Sequence, residues 1–231
     1  MAEIIGQDDN KKVLKMAIEL NLPVLCVGET GTGKTGIVRE LSESQKKKCI
    51  RVNLNGQTSI DEFVGKWLVK NGETYWQDGV LIQAMKNGWW LLCDEVNACL
   101  PEILFVLHSL LDDDKSIVIA EKDGEIVKPN KNFRFFATMN PSEEYAGTKE
   151  LNKAFVSRFP IILDFAWLGA DMEAKLLHER TKIKEKQSHQ LVGFGQYLRE
   201  LKAREDLYYT CLLYTSPSPR DRTRSRMPSS A

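Results

Sequence analysis

Hydrophobic positions change period several times along the chain, and each change marks a candidate element. Val13, Leu14, Ala17 and Ile18 recur at helical spacing within residues 10–20, with Asp9 or Asn10 as a candidate cap and Asn21-Leu22-Pro23 as the stop. Val24-Leu25-Cys26-Val27 is a continuous apolar run, as expected of a strand covered on both faces. A glycine-rich turn follows, and residues 36–44 read as a helix. Residues 50–54 alternate as a second strand, 59–64 open a short helix, and 80–86 and 101–111 read as amphipathic helices. Residues 89–93, 133–138 and 161–163 supply three more core strands. Two pairs of short runs read as hairpins, one from Trp67 to Trp76 turning on Asn71-Gly72, the other spanning 117–127 through Lys122-Asp123-Gly124.

From Asp171 to Leu207 the period is helical throughout. Strands alternating with helices imply an α/β fold, with a central parallel five-stranded sheet between helices and two β-hairpin insertions. The expected division is an α/β core over residues 1–168, a truncated helical lid over 169–210, and a tail over 211–231 outside the fold.

Three strand ends carry the chemistry. Gly28-Glu29-Thr30-Gly31-Thr32-Gly33-Lys34-Thr35 fits the pattern GxxxxGK[ST] in full, with a buried strand before it and a helix after it. Such a loop turns several backbone N–H groups toward phosphates, and the helix N-terminus adds a favourable dipole. Lys34 is expected to reach the β- and γ-phosphates of ATP and Thr35 to ligate Mg²⁺, which makes the fold that of a P-loop NTPase. Trp89 to Cys93 ends in Asp94-Glu95; Asp94 fits a residue holding Mg²⁺ and Glu95 a base that polarises the attacking water. Trp89 and Trp90 read as packing residues. Phe135 to Met139 ends in Asn140, which on the same rim would orient that water; alone, such an Asn is usually a turn residue.

Composition narrows the class. With 42% hydrophobic and 28% charged residues and a mean hydropathy of −0.33, the chain reads as an ordinary globular domain. No apolar run approaches the length of a membrane helix, the longest candidate (160–170) being interrupted by Asp164. The N-terminus lacks a basic then apolar pattern, so a cytoplasmic protein or a fragment of one is expected. The five cysteines and three histidines show no ligand spacing, and no structural metal is expected.

Formal charge is zero, but the tail holds four arginines against Asp221 alone; without it, 28 basic and 31 acidic residues leave a net of −3. That tail also reads as translated sequencing-library adapter. Cys211 to Asp221 and Ser225 to Ala231 follow adapter reads codon by codon, with an index-length gap between. The native sequence is therefore expected to depart near Thr210, the alternative being a disordered Ser/Pro/Arg tail. Amplification from source DNA without adapters tests this: the same stretch recovered after Thr210 would defeat it.

Together the motifs resemble the AAA+ superfamily, and within it the dynein-related branch that includes midasin, MoxR and CbbQ/NorQ/GvpN-type ATPases. The resemblance is carried by GETGTGKT, LLCDEVNACLPEILFVLHSLLDD and FRFFATMNPSEEYAGTKELNKAFVSRFP, and covers roughly residues 4–200. It implies that Asn140 is sensor 1 and that Arg158 is the arginine finger acting on a neighbouring subunit's γ-phosphate. Read alone, Arg158 is a surface residue before a strand. Asn53 is a candidate polar switch on Glu95, or simply a satisfied strand-end amide. Ile5 and Gly6 stand where the family meets adenine. The hairpins match insertions that face a central pore, making Trp67, Tyr75 and Trp76 candidates for substrate contact as well as core. Ala98 stands where relatives often carry a basic residue, and the sensor 2 arginine is expected beyond Thr210. The resemblance further implies a ring of like subunits, commonly hexameric, a client protein, and a partner with a von Willebrand factor A domain.

Rival readings are a nucleic-acid-directed NTPase, such as a restriction-system motor subunit, a small-molecule kinase, and a lid-truncated fragment that binds ATP without turnover. The acidic balance before the tail argues against a nucleic-acid surface, and the set Glu95, Asn140 and Arg158 suits water attack better than transfer to an acceptor.

Overall fold

In the computed structural model, residues 6–141 and 151–204 are described, the side chains of 202 and 203 excepted. The chain divides into two compact units, one spanning Gln7–Ala166, the other comprising Gly6 and the chain from Trp167 onward.

The short apolar runs can pair as one parallel sheet because those ending at Gly28, Asn53 and Asp94 are each followed by a helix before the next strand of the sheet. In chain order the first unit is α1 (Asp8–Glu19), β1 (Val24–Gly28), α2 (Lys34–Ser44), β2 (Cys49–Asn53), α3 (Ile60–Phe63), β3 (Gly65–Lys70), β4 (Glu73–Asp78) and α4 (Val80–Asn87). It continues with β5 (Trp90–Asp94), α5 (Pro101–Leu111), β6 (Ile117–Ile119), β7 (Glu125–Val127), β8 (Arg134–Met139), α6 (Lys153–Val156) and β9 (Ile161–Phe165). The sheet order is β2-β5-β8-β1-β9, all pairs parallel. β1 and β5 therefore flank β8, and the C-terminal ends of these three strands share one rim.

β5 is buried at every position, and Trp90 packs on Phe136 with ring centroids 5.4 Å apart. Trp89 is only partly buried, with the Lys48 ammonium 3.4 Å above its ring. The main core gathers Leu25, Leu81, Met85, Leu91, Leu107 and Phe155 from strands and helices alike.

Both insertions form as hairpins. β3 pairs antiparallel with β4 across Asn71 (φ 55°) and Gly72 (φ 83°), the two positive φ values that a two-residue turn of matching twist requires. Trp67 and Tyr75 are exposed, whereas Trp76 packs against the core, so of the three candidates for contact Trp76 is a packing residue. Trp67 meets Trp76 edge-on and donates to the Glu121 carbonyl at 2.9 Å, tying the first hairpin to the segment between β6 and β7. Lys86 of α4 ties them again, pairing with Asp78 at 2.9 Å and Glu125 at 3.1 Å.

Several edges differ from the periodicity. α1 begins at Asp8 after Gln7, which makes no side-chain cap; Asp9 lies inside the first turn, where its charge complements the dipole. β2, β5, β8 and β9 each shift or extend by one or two residues, because ladder pairing sets their ends rather than apolar content.

The second unit contains α7 (Ala170–Thr181) and α8 (Glu185–Ala203). Ala174, Leu177 and Val192 form its small core. Arg199 grips the almost fully buried Glu173 with both Nη atoms, one at 2.9 Å, and stacks 3.7 Å over Trp167. Removing one partner of such a pair strands a buried charge, at a cost of about 3–5 kcal/mol. Arg199→Ala is therefore expected to strip hydrogen-exchange protection from α7 and α8 while β1, β5 and β8 keep theirs. Unchanged protection in α7 would remove the pair from that role. The expected tail over 211–231, residues 205–210 of the lid, and Ile5 lie outside the described residues.

Among the described residues, no helix is long and apolar enough to cross a membrane.

Candidate active site

The three strand ends meet. β1 runs into the glycine-rich loop, where Gly31 (φ 95°) and Gly33 (φ 96°) take the left-handed backbone that lets the chain wrap before α2 begins at Lys34. The Lys34 side chain folds back under this loop. Its Nζ donates to the carbonyls of Gly28 (2.7 Å) and Glu29 (2.8 Å) and to Asn140 Oδ1 (3.0 Å). Burial pushes the Lys34 ammonium down to about 8, an effect opposed by the nearby Asp94 carboxylate. Thr32 closes the loop through its hydroxyl, which donates to the Glu29 carbonyl at 2.8 Å.

Asp94 is a hub. The Thr35 hydroxyl lies 3.1 Å from each of its carboxylate oxygens. Thr138 of β8 donates its hydroxyl to Oδ1 and accepts the Glu95 backbone N–H at 3.2 Å. Arg51 of β2 donates from Nε and Nη2 to Oδ2 at 2.8 and 2.5 Å. Neither Arg51 nor Thr138 is marked by any motif, since both reach Asp94 only because β2 and β8 flank β5.

Glu95 adopts φ 60°, ψ 48°, a left-handed conformation costing a residue with a side chain on the order of 1–3 kcal/mol. The turn starts a single 3₁₀ turn over Val96–Ala98. Asn140 Nδ2 then reaches Glu95 Oε1 at 3.4 Å, so one amide bridges Lys34 and Glu95. Buried Asn97 donates from Nδ2 to the Asn140 carbonyl at 3.0 Å, fixing the strand end that carries that amide.

Other candidates lie apart. Asn53 stands opposite Asp94 in the β2–β5 register but is exposed beside Asn55, Gln57, Thr58 and Glu62, and makes no side-chain hydrogen bond to Glu95. Arg158 is half-buried after α6, with Nε 2.6 Å from Asp112 Oδ1 and Nη1 2.7 Å from the Ala154 carbonyl. Among the described residues it bonds to nothing in the loop or at Asp94, Glu95 or Asn140. Burial and the Arg158 guanidinium push the nearby His108 imidazole below its ordinary range. Gly6 packs against Leu168 and Met172 of its own unit.

Residues 23–159 match the AAA domain (dynein-related subfamily) family. The chain belongs to that family. As a dynein-related AAA domain it is 35% identical to a midasin of Giardia intestinalis over 170 residues, 73% of this chain and 4% of that protein. It is 34% identical to a Dictyostelium discoideum midasin over 64% of this chain and 2% of that one. The AAA domain thus spans a small fraction of either midasin's length. An uncharacterized Staphylococcus aureus protein (strain USA300) is 31% identical over 81% of this chain and 72% of its own. Among solved structures, a candidate ATPase from Cytophaga hutchinsonii shares the fold with a TM-score of 0.63 at 18% identity, covering 86% of this chain and 64% of that one. Closed-state Hsp104 with ATPγS and FITC-casein gives 0.61 at 23%, covering 78% and 36%.

The donor set suits the nucleotide and metal of this family. A hydroxyl and a carboxylate are hard oxygen ligands, and magnesium is commonly held by one or two carboxylates with phosphates and waters supplying the rest. Among the described residues, no cluster of three or more His, Cys, Asp or Glu is placed to hold a metal by itself.

Proposed function

We propose that this AAA domain binds Mg-ATP and hydrolyses it within a ring of like subunits, commonly a hexamer, to remodel or activate a client protein. What carries the reading is the single hydrogen-bonded rim that joins Lys34, Thr35, Asp94, Glu95 and Asn140. When bound, Mg²⁺ would neutralise charge on the phosphates. The loop N–H groups and Lys34 hold the phosphates, Lys34 turning from the loop carbonyls toward them. Thr35 and Asp94 would hold the metal, Asp94 through water. Glu95 takes the proton of the attacking water while the Asn140 amide holds both in line. A kinase would need an acceptor beside Glu95 instead.

Arg158 acts in trans in this reading, which its bonding to Asp112 and Ala154 rather than to the domain's own loop suits. Its contribution is on the order of a thousandfold in rate. Arg158→Ala is expected to bind Mg-ATP normally and to inhibit more than proportionally when mixed into wild type; strictly linear loss on mixing would count against action in trans. Asn53 is kept as a contact that forms with Glu95 only on partner binding, and Gly6, with Ile5, as an adenine contact. The domain limits proposed are 1–168 for the nucleotide-binding core and 169–210 for the partial lid, in a cytoplasmic protein whose client complex includes a von Willebrand factor A domain partner.

The deciding experiment is Mg-ATP binding and phosphate release by the full chain as protein concentration rises. Saturable binding with specific activity that climbs with concentration is expected. A folded chain that binds no Mg-ATP would overturn the reading.

A further inference from the structure

Of the contacts on Asp94 that the reaction does not use, Arg51 is the charged one. Its Nε and Nη2 both donate to Oδ2, while the Thr35 and Thr138 hydroxyls approach the same carboxylate, so the acceptor directions of Asp94 are filled. The two partners differ in exposure: the Asp94 side chain is 8% exposed, the Arg51 side chain 50%. A carboxylate that deep requires a compensating charge, whereas a guanidinium half in water can leave without being stranded. Register keeps Arg51 in reach, since β2 pairs with β5 so that Asn53 faces Asp94 and Arg51 lies two residues back on the same strand.

We propose that Arg51 is a resident counter-cation for Asp94, which a divalent cation displaces on binding at Thr35 and Asp94. The proposal rests on the reading of those two residues as the metal-holding pair. Arg51 and a metal would share one carboxylate, and two cations side by side repel, so each would be bound at the other's expense. Arg51 then holds the Asp94 carboxylate in place in the metal-free domain, and raises the metal concentration at which the site fills.

The test is titration of the nucleotide-free full chain with Mn²⁺, followed by electron paramagnetic resonance, together with melting in metal-free buffer. Arg51→Gln is expected to bind Mn²⁺ about tenfold tighter than wild type, the scale of one lost charged hydrogen bond. It should melt lower without metal and recover most of that loss at saturating Mn²⁺. Arg51→Lys, which keeps the charge but not the two-pronged contact, should fall between and guards against a glutamine variant that fails to fold. Equal or weaker Mn²⁺ binding in both variants, including none detectable in any protein, would overturn the proposal; so would a melting deficit that metal does not repair. Asp94→Asn separates the two failures. If it abolishes Mn-ATP binding while Arg51→Gln tightens nothing, only the role of Arg51 falls; if it leaves Mn-ATP binding intact, the metal-holding pair falls with it.

Discussion

Lys34→Ala is expected to abolish measurable Mg-ATP binding by the full chain while leaving its circular dichroism native. The ammonium sits under the loop with three acceptors, two of them loop carbonyls that phosphate oxygens would replace. Charged hydrogen bonds are worth about 1.5–3 kcal/mol each, so losing two costs on the order of a thousandfold in Kd. Calorimetry checks it, and binding within tenfold of wild type would remove Lys34 from the phosphates. The depressed ammonium adds a second readout. With a folded-state value of about 8 against an ordinary 10.5, the unfolded chain holds more protons here between those values, so this group's contribution to stability rises with pH across that window. A phosphate beside Lys34 favours the charged form, and binding near pH 8 should therefore take up protons. The binding enthalpy should then depend on the buffer's ionisation enthalpy in wild type; a buffer-independent value would count against it.

Much of this site was legible because strand, glycine-rich loop and helix are contiguous in sequence and because the apolar runs of β5 and β8 lead into polar residues, Asp94-Glu95 and Asn140. Asn71-Gly72 and Asp123-Gly124 likewise announced their hairpins through residues that tolerate positive φ. What could not be read depends on strand order. Arg51 sits in an alternating run as an outward polar residue, and only the placement of β2 beside β5 turns it onto Asp94. Thr138 reads as one more β-branched strand residue, yet it couples Asp94 to the Glu95 backbone. The left-handed turn at Glu95 has no sequence mark at all, since the residue types that favour it are Gly and Asn. In the second unit, Glu173 falls among polar helix positions and is buried only because Arg199, 26 residues on, returns to meet it. Local chemistry was written in the motifs; pairing across the sheet and between helices was not.

Glu95→Gln separates binding from chemistry, and is expected to keep wild-type affinity for Mg-ATP while turnover falls by about 10²–10⁴. Glutamine matches glutamate in shape, and its carbonyl oxygen can still accept from Asn140 Nδ2 where Oε1 does so now. The anchor of the turn, the residue's backbone N–H on Thr138, is untouched by the change. Asp94, Thr35 and Lys34 keep their hydrogen bonds, so the contacts that would hold nucleotide and metal stay in place. Only the ability to accept a proton from water is lost. Equilibrium binding together with single-turnover phosphate release reads the two effects separately. Turnover near wild type would place the base elsewhere, and weakened binding in step with lost turnover would make Glu95 a structural residue of the rim. A trapped, ATP-loaded variant has a further use: if Arg158 completes the site of its neighbour, it should hold like subunits together more tightly than the nucleotide-free domain does. Sedimentation with and without Mg-ATP would then report on the interface without depending on hydrolysis.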